Sequence, residues 1–427
     1  MLNFYIHTLG CPKNQVDSEE LKKRLISEGI IPGPDIKEAS LILVNTCGFI
    51  QAAKEESIEE ILTVAQTKSP EQKLIVFGCL AKRYMDELKA ELPEVDAFFG
   101  VDDFEDILAY ARRFKNGADP QRITPPDEPT PGYAYLKISE GCNRRCSFCA
   151  IPSIRGPLRS KDPEEILGRA EELISTGVRE LILIAQDITS YGRDSGGYSL
   201  ARLLYDLNSL SGDFWIRLLY LFPDSIDEEL IQAVKENQKV CHYIDLPLQH
   251  SEDRILRLMR RPGSKEQLLK SIEHIRKEIP DVVLRTSFIV GFPTESDEEF
   301  EGLLDFVREV GFDRLGAFTY SPEEGTPAYE LKEQVPEEVK KQRYHRLMTL
   351  QAEISYRKNL ELVGKRLRVL VDETDNKLAY CRYYGQAPEI DGITVVKNRG
   401  EQLKKGEFVD VLVTSAHDYD LEAEVVQ

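Results

Sequence analysis

The sequence predicts an α/β chain of three parts: an N-terminal parallel α/β domain, a central partial barrel of six βα units, and a small all-β barrel at the C-terminal end. Three observations predict it. Within residues 1–115 a short apolar run, a cysteine and a helical pattern follow one another three times. From Tyr133 to about Val335, strand-like and helix-like segments alternate through six units. From about residue 361 the chain breaks into short strands separated by Gly and Asp turns. The first two patterns belong to parallel sheets and the third to a small closed barrel.

The elements justify this in order. Asn3–Leu9, Leu41–Thr46 and Lys73–Gly78 read as buried strands, and Ser18–Glu28, Lys54–Gln66 and Arg83–Leu92 as helices. Pro120, Pro125, Pro126, Pro129 and Pro131 crowd residues 116–132, which marks a linker. The central strands are Ala134–Ser139, Glu180–Ala185, Phe214–Tyr220, Tyr243–Pro247, Val282–Val290 and Arg314–Thr319. Helices expected between them include Pro163–Thr176, Ser199–Ser209, Asp227–Asn237, Asp253–Met259, Lys265–Glu278 and Asp297–Val310. Six units fall short of a closed eightfold barrel, which leaves a side opening for a large substrate, with chemistry at the C-terminal strand ends. A connecting helix over 336–360 leads to the tail, 361–427, with strands at Arg366–Val371, Leu378–Tyr383, Gly392–Val396 and Phe408–Thr414.

The chain has 427 residues and a net charge of −19, from 55 Lys and Arg against 74 Asp and Glu. Strong nucleic-acid binding is not expected of such a surface, because phosphates are neutralised by basic groups. A basic partner suits it better. No apolar run has the length of a membrane helix, and the first basic residue is Lys13, so neither a membrane span nor a signal peptide is expected. A cytoplasmic protein is the expectation, and its eight cysteines read as metal or catalytic thiols before disulfides.

Cys142, Cys146 and Cys149 stand on one short loop with the spacing C-x3-C-x2-C, fed by the strand Tyr133–Ser139. Thiolates are soft ligands for iron–sulfur clusters or zinc, but structural zinc wants four ligands and the loop offers three. Cys11, Cys47 and Cys79 each follow a strand and precede a helix. Strand ends of a parallel sheet meet along one edge, so the three would share one crevice and form a second three-thiolate site. Their other reading is as ordinary buried cysteines. Cys241 and Cys381 read as small buried hydrophobes.

The C-x3-C-x2-C loop resembles that of radical S-adenosylmethionine (SAM) enzymes. Along its full length the chain resembles the radical SAM methylthiotransferase family, which joins an N-terminal cysteine domain, a partial radical-SAM barrel and a C-terminal TRAM barrel. Leu9-Gly10-Cys11-Pro12-Lys13-Asn14 is similar to the version found in the RimO type, which modifies an aspartate of small-subunit ribosomal protein twelve. The MiaB type, which modifies tRNA adenosines, usually carries Gln-Met at Pro12-Lys13. Ala387-Pro388-Glu389-Ile390-Asp391-Gly392 and Tyr320-Ser321-Pro322-Glu323-Glu324-Gly325-Thr326-Pro327 also resemble the RimO type. At Glu323 and Glu324 tRNA-modifying relatives tend to be basic. Two departures stand out. Gly291-Phe292-Pro293-Thr294-Glu295 has threonine where the family usually has glycine, and Gln249-His250-Ser251-Glu252-Asp253 lacks a glycine common in relatives.

The resemblance implies two 4Fe-4S clusters and SAM as cofactors. Cys142, Cys146 and Cys149 would hold the SAM-cleaving cluster, whose open iron binds the amino and carboxylate groups of SAM. Cys11, Cys47 and Cys79 would hold an auxiliary cluster that carries the sulfur to be inserted. One SAM would methylate that sulfur and a second would supply the radical, with an electron donor as a further partner. No side chain is assigned a catalytic role, because a radical cofactor supplies the chemistry while the protein positions and shields it. Phe148, Gln186, Ser190, Gln249 and Arg285 are candidate SAM contacts, and each is read equally well as making a structural hydrogen bond. Arg285 is a candidate because a buried charge needs a partner, such as the cofactor carboxylate.

Residues 361–427 carry nine Lys and Arg against thirteen Asp and Glu, a balance of −4. An RNA-gripping tail would be basic, so an acidic one favours ribosomal protein twelve or the small subunit over tRNA. Two rival readings remain: a MiaB-like tRNA enzyme, and a non-catalytic iron–sulfur carrier.

Overall fold

The run Leu41–Thr46 is buried at every position because it is the central strand of a five-stranded parallel sheet. In a computed structural model, which describes residues 2–115, 132–375, 377–397 and 403–426, that sheet comprises β1 (Asn3–Thr8), β2 (Ile31–Pro32), β3 (Leu41–Thr46), β4 (Lys73–Gly78) and β5 (Ala97–Phe98) in the order β2-β1-β3-β4-β5. Continuous apolar strands of this kind need cover on both faces. The cover comes from α1 (Pro12–Ser27), α2 (Gln51–Thr67), α3 (Cys79–Arg83), α4 (Met85–Glu91) and α5 (Phe104–Arg112). α1 begins six residues before the expected Ser18. Pro12 sits in its first turn, where a missing N–H costs nothing. All of the expected linker except Gly132 lies outside the described residues.

The chain divides into two compact units, and the division is not contiguous. Residues 2–115 form the first together with 141–157 and 321–329. The cysteine loop, expected within a continuous 133–335 barrel, therefore belongs to the first unit. Two contacts explain this. α6 (Ile151–Arg155), which follows the loop, buries Ile154 with Ala150 against Cys79 and Val101. Segment 321–329 is pinned by Glu323, buried between Lys54 Nζ (3.0 Å) and Arg83 Nη1 (2.7 Å), and by the Ala328 N–H donating to Ser147 O (2.8 Å).

The second unit contains β6 (Tyr133–Lys137), a short antiparallel pair β7 (Ser139–Glu140) and β8 (Arg159–Ser160), and α7 (Pro163–Ser175). It continues with β9 (Glu180–Ile184), α8 (Leu200–Ser209), β10 (Trp215–Leu218), α9 (Glu228–Glu236) and β11 (Val240–Gln249). Then come α10 (Asp253–Leu258), α11 (Lys265–Glu278), β12 (Val283–Val290), α12 (Asp297–Val310), β13 (Arg314–Thr319) and α13 (Glu337–Leu360). Its large sheet has six parallel strands in the order β13-β12-β11-β10-β9-β6, as the alternation predicts. The tail closes a five-stranded barrel from β14 (Arg366–Thr374), β15 (Leu378–Tyr383), β16 (Thr394–Lys397), β17 (Phe408–Ala416) and β18 (Leu421–Val425). Sequence reading missed β18, although Leu421-Glu-Ala-Glu-Val425 alternates as a strand should.

The tail barrel is locked to the N-terminal halves of the large sheet's strands. Glu180, Arg217 and Arg382 are all buried, with Glu180 Oε1 2.5 Å from Arg217 Nε and Oε2 2.6 Å from Arg382 Nη1. Arg382 also pairs with Asp372 at 2.6 Å. The loop between β15 and β16 continues this floor. Arg217 Nη1 donates to Tyr384 O (2.6 Å), Arg314 Nε to Gly385 O (3.4 Å), and Tyr243 Oη to Asp391 Oδ2 (2.7 Å). Removing one partner of a buried ion pair strands the remaining charge, so Glu180→Gln is expected to cost about 3–5 kcal/mol. Urea unfolding of the apoprotein measures it; a loss under about 1 kcal/mol, the range of exposed ion pairs, would contradict this account.

Candidate functional site

The first unit's parallel order puts the C-terminal ends of β1, β3 and β4 side by side, with Cys47 on the central strand's loop between Cys11 and Cys79. Cys11 is the N-cap of α1 and Cys79 opens α3. Gly10 adopts φ +87°, and a Cβ there would come within 2.7 Å of Cys47 Cβ, so glycine lets the first two cysteine loops meet. The Cys47 N–H donates to Ser57 Oγ (3.0 Å), whose hydroxyl donates back to Cys47 O (2.9 Å).

Asn14 ties these loops together. Its Nδ2 donates to Leu9 O (2.8 Å) and Thr46 O (3.2 Å), and its Oδ1 faces Cys79 Sγ at 3.8 Å. Burial pushes the Cys79 thiol up to about 12, against the Arg155 guanidinium, which pulls it down; neighbouring Cys11 and Cys47 raise it further. Burial likewise raises the Cys47 thiol. Metal binding would release those protons.

The second cysteine set lies on the same unit. Gly141 enters the loop at φ +75°, where a Cβ would meet Pro157 O at 2.0 Å. The Cys142 N–H donates to Gly156 O (3.1 Å), the Cys149 N–H to Cys146 O (3.2 Å), and the Arg144 N–H to Cys142 Sγ (3.4 Å). Phe148 is half-buried on this loop. Arg155, at the end of α6, is 2% exposed. It pairs with Asp17 Oδ2 (3.0 Å) and donates Nη2 to Asn14 Oδ1 (2.8 Å) and Cys79 Sγ (3.4 Å).

Among the described residues no three or more His, Cys, Asp or Glu side chains converge to hold a single metal ion. Soft sulfur donors in threes, half-buried or buried, and a backbone N–H aimed at Cys142 Sγ fit an iron–sulfur cluster.

The second unit supplies a polar face at its strand ends. Glu140 accepts from Lys137 Nζ (2.8 Å) and from Gln186 Nε2 (2.7 Å). Among the described residues, buried Ser139 Oγ, Gln186 Oε1 and Ser251 Oγ have no hydrogen-bond partner, and His250 Nε2 only approaches Glu295 Oε2, at 3.8 Å. Unpartnered buried polar atoms just past the C-terminal ends of β6, β9 and β11 fit a polar ligand such as SAM. Sequence reading found Gln186 but missed Ser139, Glu140 and Ser251; their signal was position, directly beside the cysteine loop or the end of β11. Gln249 ends β11 at φ +72°. Ser190 Oγ is committed to Asp187 Oδ2 (2.6 Å).

At Arg285 the structure shows the internal partner that was the alternative reading. The guanidinium charge does not wait for a cofactor carboxylate: Nη1 pairs with Asp245 Oδ1 at 2.8 Å and Nε lies 3.6 Å from Asp391 Oδ1, in the floor. The burial argument was sound, but an internal acid answers it. Thr294, the threonine at the glycine position, takes φ +70°, a costly conformation for a β-branched residue. Arg254 compensates by donating Nη1 to Thr294 Oγ1 (2.9 Å) and Nη2 to Thr294 O (2.6 Å).

Comparison with known proteins agrees with this arrangement. Residues 136–307 match the Radical SAM superfamily, residues 3–100 the Uncharacterized protein family UPF0004, and residues 363–426 the TRAM domain. The radical SAM methyltransferase TsrM from Kitasatospora setae has a similar fold, with a TM-score of 0.57 at 11% identity, covering 89% of this chain and 81% of that one. Fold and cysteine loop define a radical SAM enzyme, a class that carries a 4Fe-4S cluster and uses SAM. The relatives narrow the class. The ribosomal protein uS12 methylthiotransferase RimO of Thermodesulfovibrio yellowstonii is 53% identical over all of both chains. Those of Acetivibrio thermocellus and Thermotoga maritima are 47% and 46% identical, covering 99% of this chain and 98% and 99% of theirs. The chain belongs to the RimO family of methylthiotransferases.

His250 offers a test of the polar face. Its Nδ1 accepts from the Glu252 N–H (3.0 Å), so the neutral ring carries its proton on Nε2. Burial drives its pKa from 6.5 down to about 3. Below pH 6.5 the unfolded chain binds a proton that the folded one does not, so this group lowers stability as pH falls. Burial of Glu295 acts oppositely, raising its pKa to about 7. His250→Gln should therefore gain stability relative to the parent as pH drops from 7 to 5, by up to about 1.4 kcal/mol per pH unit. Urea unfolding at both pH values checks it; an equal difference at both would contradict a neutral buried imidazole.

Proposed function

We propose that this enzyme methylthiolates the β-carbon of an aspartate in small-subunit ribosomal protein uS12, using two 4Fe-4S clusters. The observation that carries the two-cluster reading is the shared unit: both cysteine sets are built into one compact body, joined by Arg155 reaching Cys79 and by Ala328 bonding Ser147. One centre would supply the radical and the other the sulfur, and a shared rigid body would hold the two sets of ligands in register.

Cys142, Cys146 and Cys149 hold the SAM-cleaving cluster in this reading, and Cys11, Cys47 and Cys79 the auxiliary one. When bound, the cofactors supply the radical and the methylated sulfur. The protein's share is binding, orientation and water exclusion. Ser139, Gln186 and Ser251 offer unpartnered polar atoms to SAM, Glu140 anchors Gln186, and Phe148 and Gln249 lie on the cysteine loop and at a strand end. Ser190 contributes less, with its hydroxyl already bonded.

The domain division follows the same reading: 1–115 for the auxiliary centre, 133–335 for the barrel less the segments 141–157 and 321–329 that fold with the first unit, 336–360 as the connecting helix and 361–427 as the TRAM barrel. The negative balance of that tail suits a basic ribosomal protein, and a cytoplasmic location with a separate electron donor completes the proposal. No helix among the described residues is long and apolar enough to cross a membrane.

Anaerobically reconstituted enzyme, methyl-labelled SAM, a reductant, small ribosomal subunits and bulk tRNA in one reaction test the substrate. Label in uS12, with the mass of one methylthio group on an aspartate, is expected; label in tRNA would overturn the substrate assignment. Cys47→Ala should lose roughly half of the bound iron and all methylthio transfer, yet still cleave SAM. Unchanged iron in that variant would sink the auxiliary cluster.

A further inference from the structure

Arg155 links the second cysteine set to the N-terminal cysteine loops, directly at Cys79 and through Asn14 at the other two. It follows Cys149 by six positions. Its guanidinium reaches Cys79 Sγ directly (3.4 Å) and the Cys11 and Cys47 loops through Asn14, whose amide is fixed on the Leu9 and Thr46 carbonyls. The arrangement is directional. Nη1 faces Asp17 (3.0 Å), while Nη2 is shared between Asn14 and the sulfur. The ion pair thus presents its positive end to Cys79 within a water-excluded site.

Resting on the two-cluster reading, we infer that Arg155 is a positioning residue that sets the reduction potential of the auxiliary centre. Reduction adds negative charge to a cluster and its thiolates. A fixed cation and an N–H···S hydrogen bond at one ligand sulfur favour the reduced form and raise the potential. Low local dielectric enlarges the effect. A guanidinium needed only to pair Asp17 would have no reason to point at a sulfur. Asp17 has its own electrostatic part: its carboxylate offsets part of the field that Arg155 exerts on Cys79. Arginine and aspartate therefore pull the potential in opposite directions.

That opposition makes the test. In full-length protein carrying Cys142→Ala, Cys146→Ala and Cys149→Ala, only the auxiliary centre can assemble from ferrous iron and sulfide. Iron and sulfide content is measured first, then the midpoint potential by a mediated titration followed by electron paramagnetic resonance. Arg155→Met is expected to shift the potential downward, and Asp17→Asn to shift it upward. A merely structural pair would move neither, or both the same way, and either result overturns the inference. If Arg155→Met fails to fold or to bind iron, Asp17→Asn decides alone: an upward shift supports the inference and an unchanged potential overturns it. If the triple-cysteine background itself binds no iron, the two-cluster reading fails and takes this inference with it. The iron assay tells that failure apart from an unmoved potential.

Discussion

A buried guanidinium, Arg155, is the interaction on which the cysteine-bearing unit depends. Its loop comes from a different part of the chain than the sheet it is packed against. Apolar contact between Ala150, Ile154, Val101 and Cys79 brings the pieces together, but such contact is non-directional. The fork from Arg155 to Asp17, Asn14 and Cys79 supplies direction, because each N–H has one acceptor at a defined angle. Charge desolvated in this way is stable only while its partners remain. That is why the strap at 321–329 matters: Glu323 meets Lys54 and Arg83 from the first domain, and Ala328 fastens the loop at Ser147.

The same logic recurs in the second unit with a different purpose. A six-stranded open sheet has a lower mouth as well as an upper one. Here the lower mouth meets the loop between β15 and β16, through Tyr384 and Gly385 carbonyls, Asp391 and the Glu180–Arg217–Arg382 cluster. The tail barrel is consequently part of the floor on which the strands stand. At the opposite, C-terminal strand ends, Ser139 Oγ, Gln186 Oε1 and Ser251 Oγ are buried polar atoms that a ligand would satisfy.

How much of this was legible in the sequence follows from the range of the interactions involved. Periodicity gave the six strands of the large sheet and the three long strands of the first, because burial writes itself into local alternation and apolar runs, but not the two-residue edge strands β2 and β5. The cysteines were legible because they occupy repeated local positions. What sequence could not show was that 141–157 and 321–329 leave the barrel's unit, since that depends on contacts such as Glu323 with Lys54, 269 positions apart. Arg285 is the instructive case. Reasoning that a buried charge needs a partner was right, yet Asp245 and Asp391 lie 40 and 106 positions away and could not be distinguished from a cofactor. Thr294 worked the other way: the sequence marked a torsional problem, and the structure shows the positive φ together with the arginine that holds it.

These placements also change what the family-type motifs mean. Glu323, Glu324, Glu389 and Asp391 belong to the two motifs that resemble the RimO type. Two of the four face inward. Glu323 is 2% exposed and neutralised by two cations, and Asp391 is tied to Tyr243 and Arg285. An internal carboxylate with full compensation projects little field to a partner. Its identity is instead coupled to its neighbours: a basic residue at position 323 would face Lys54 and Arg83, and three like charges in a buried pocket are not tolerated. The buried carboxylates therefore serve the packing of the cysteine unit and the floor, while Glu324 and Glu389 are exposed charges.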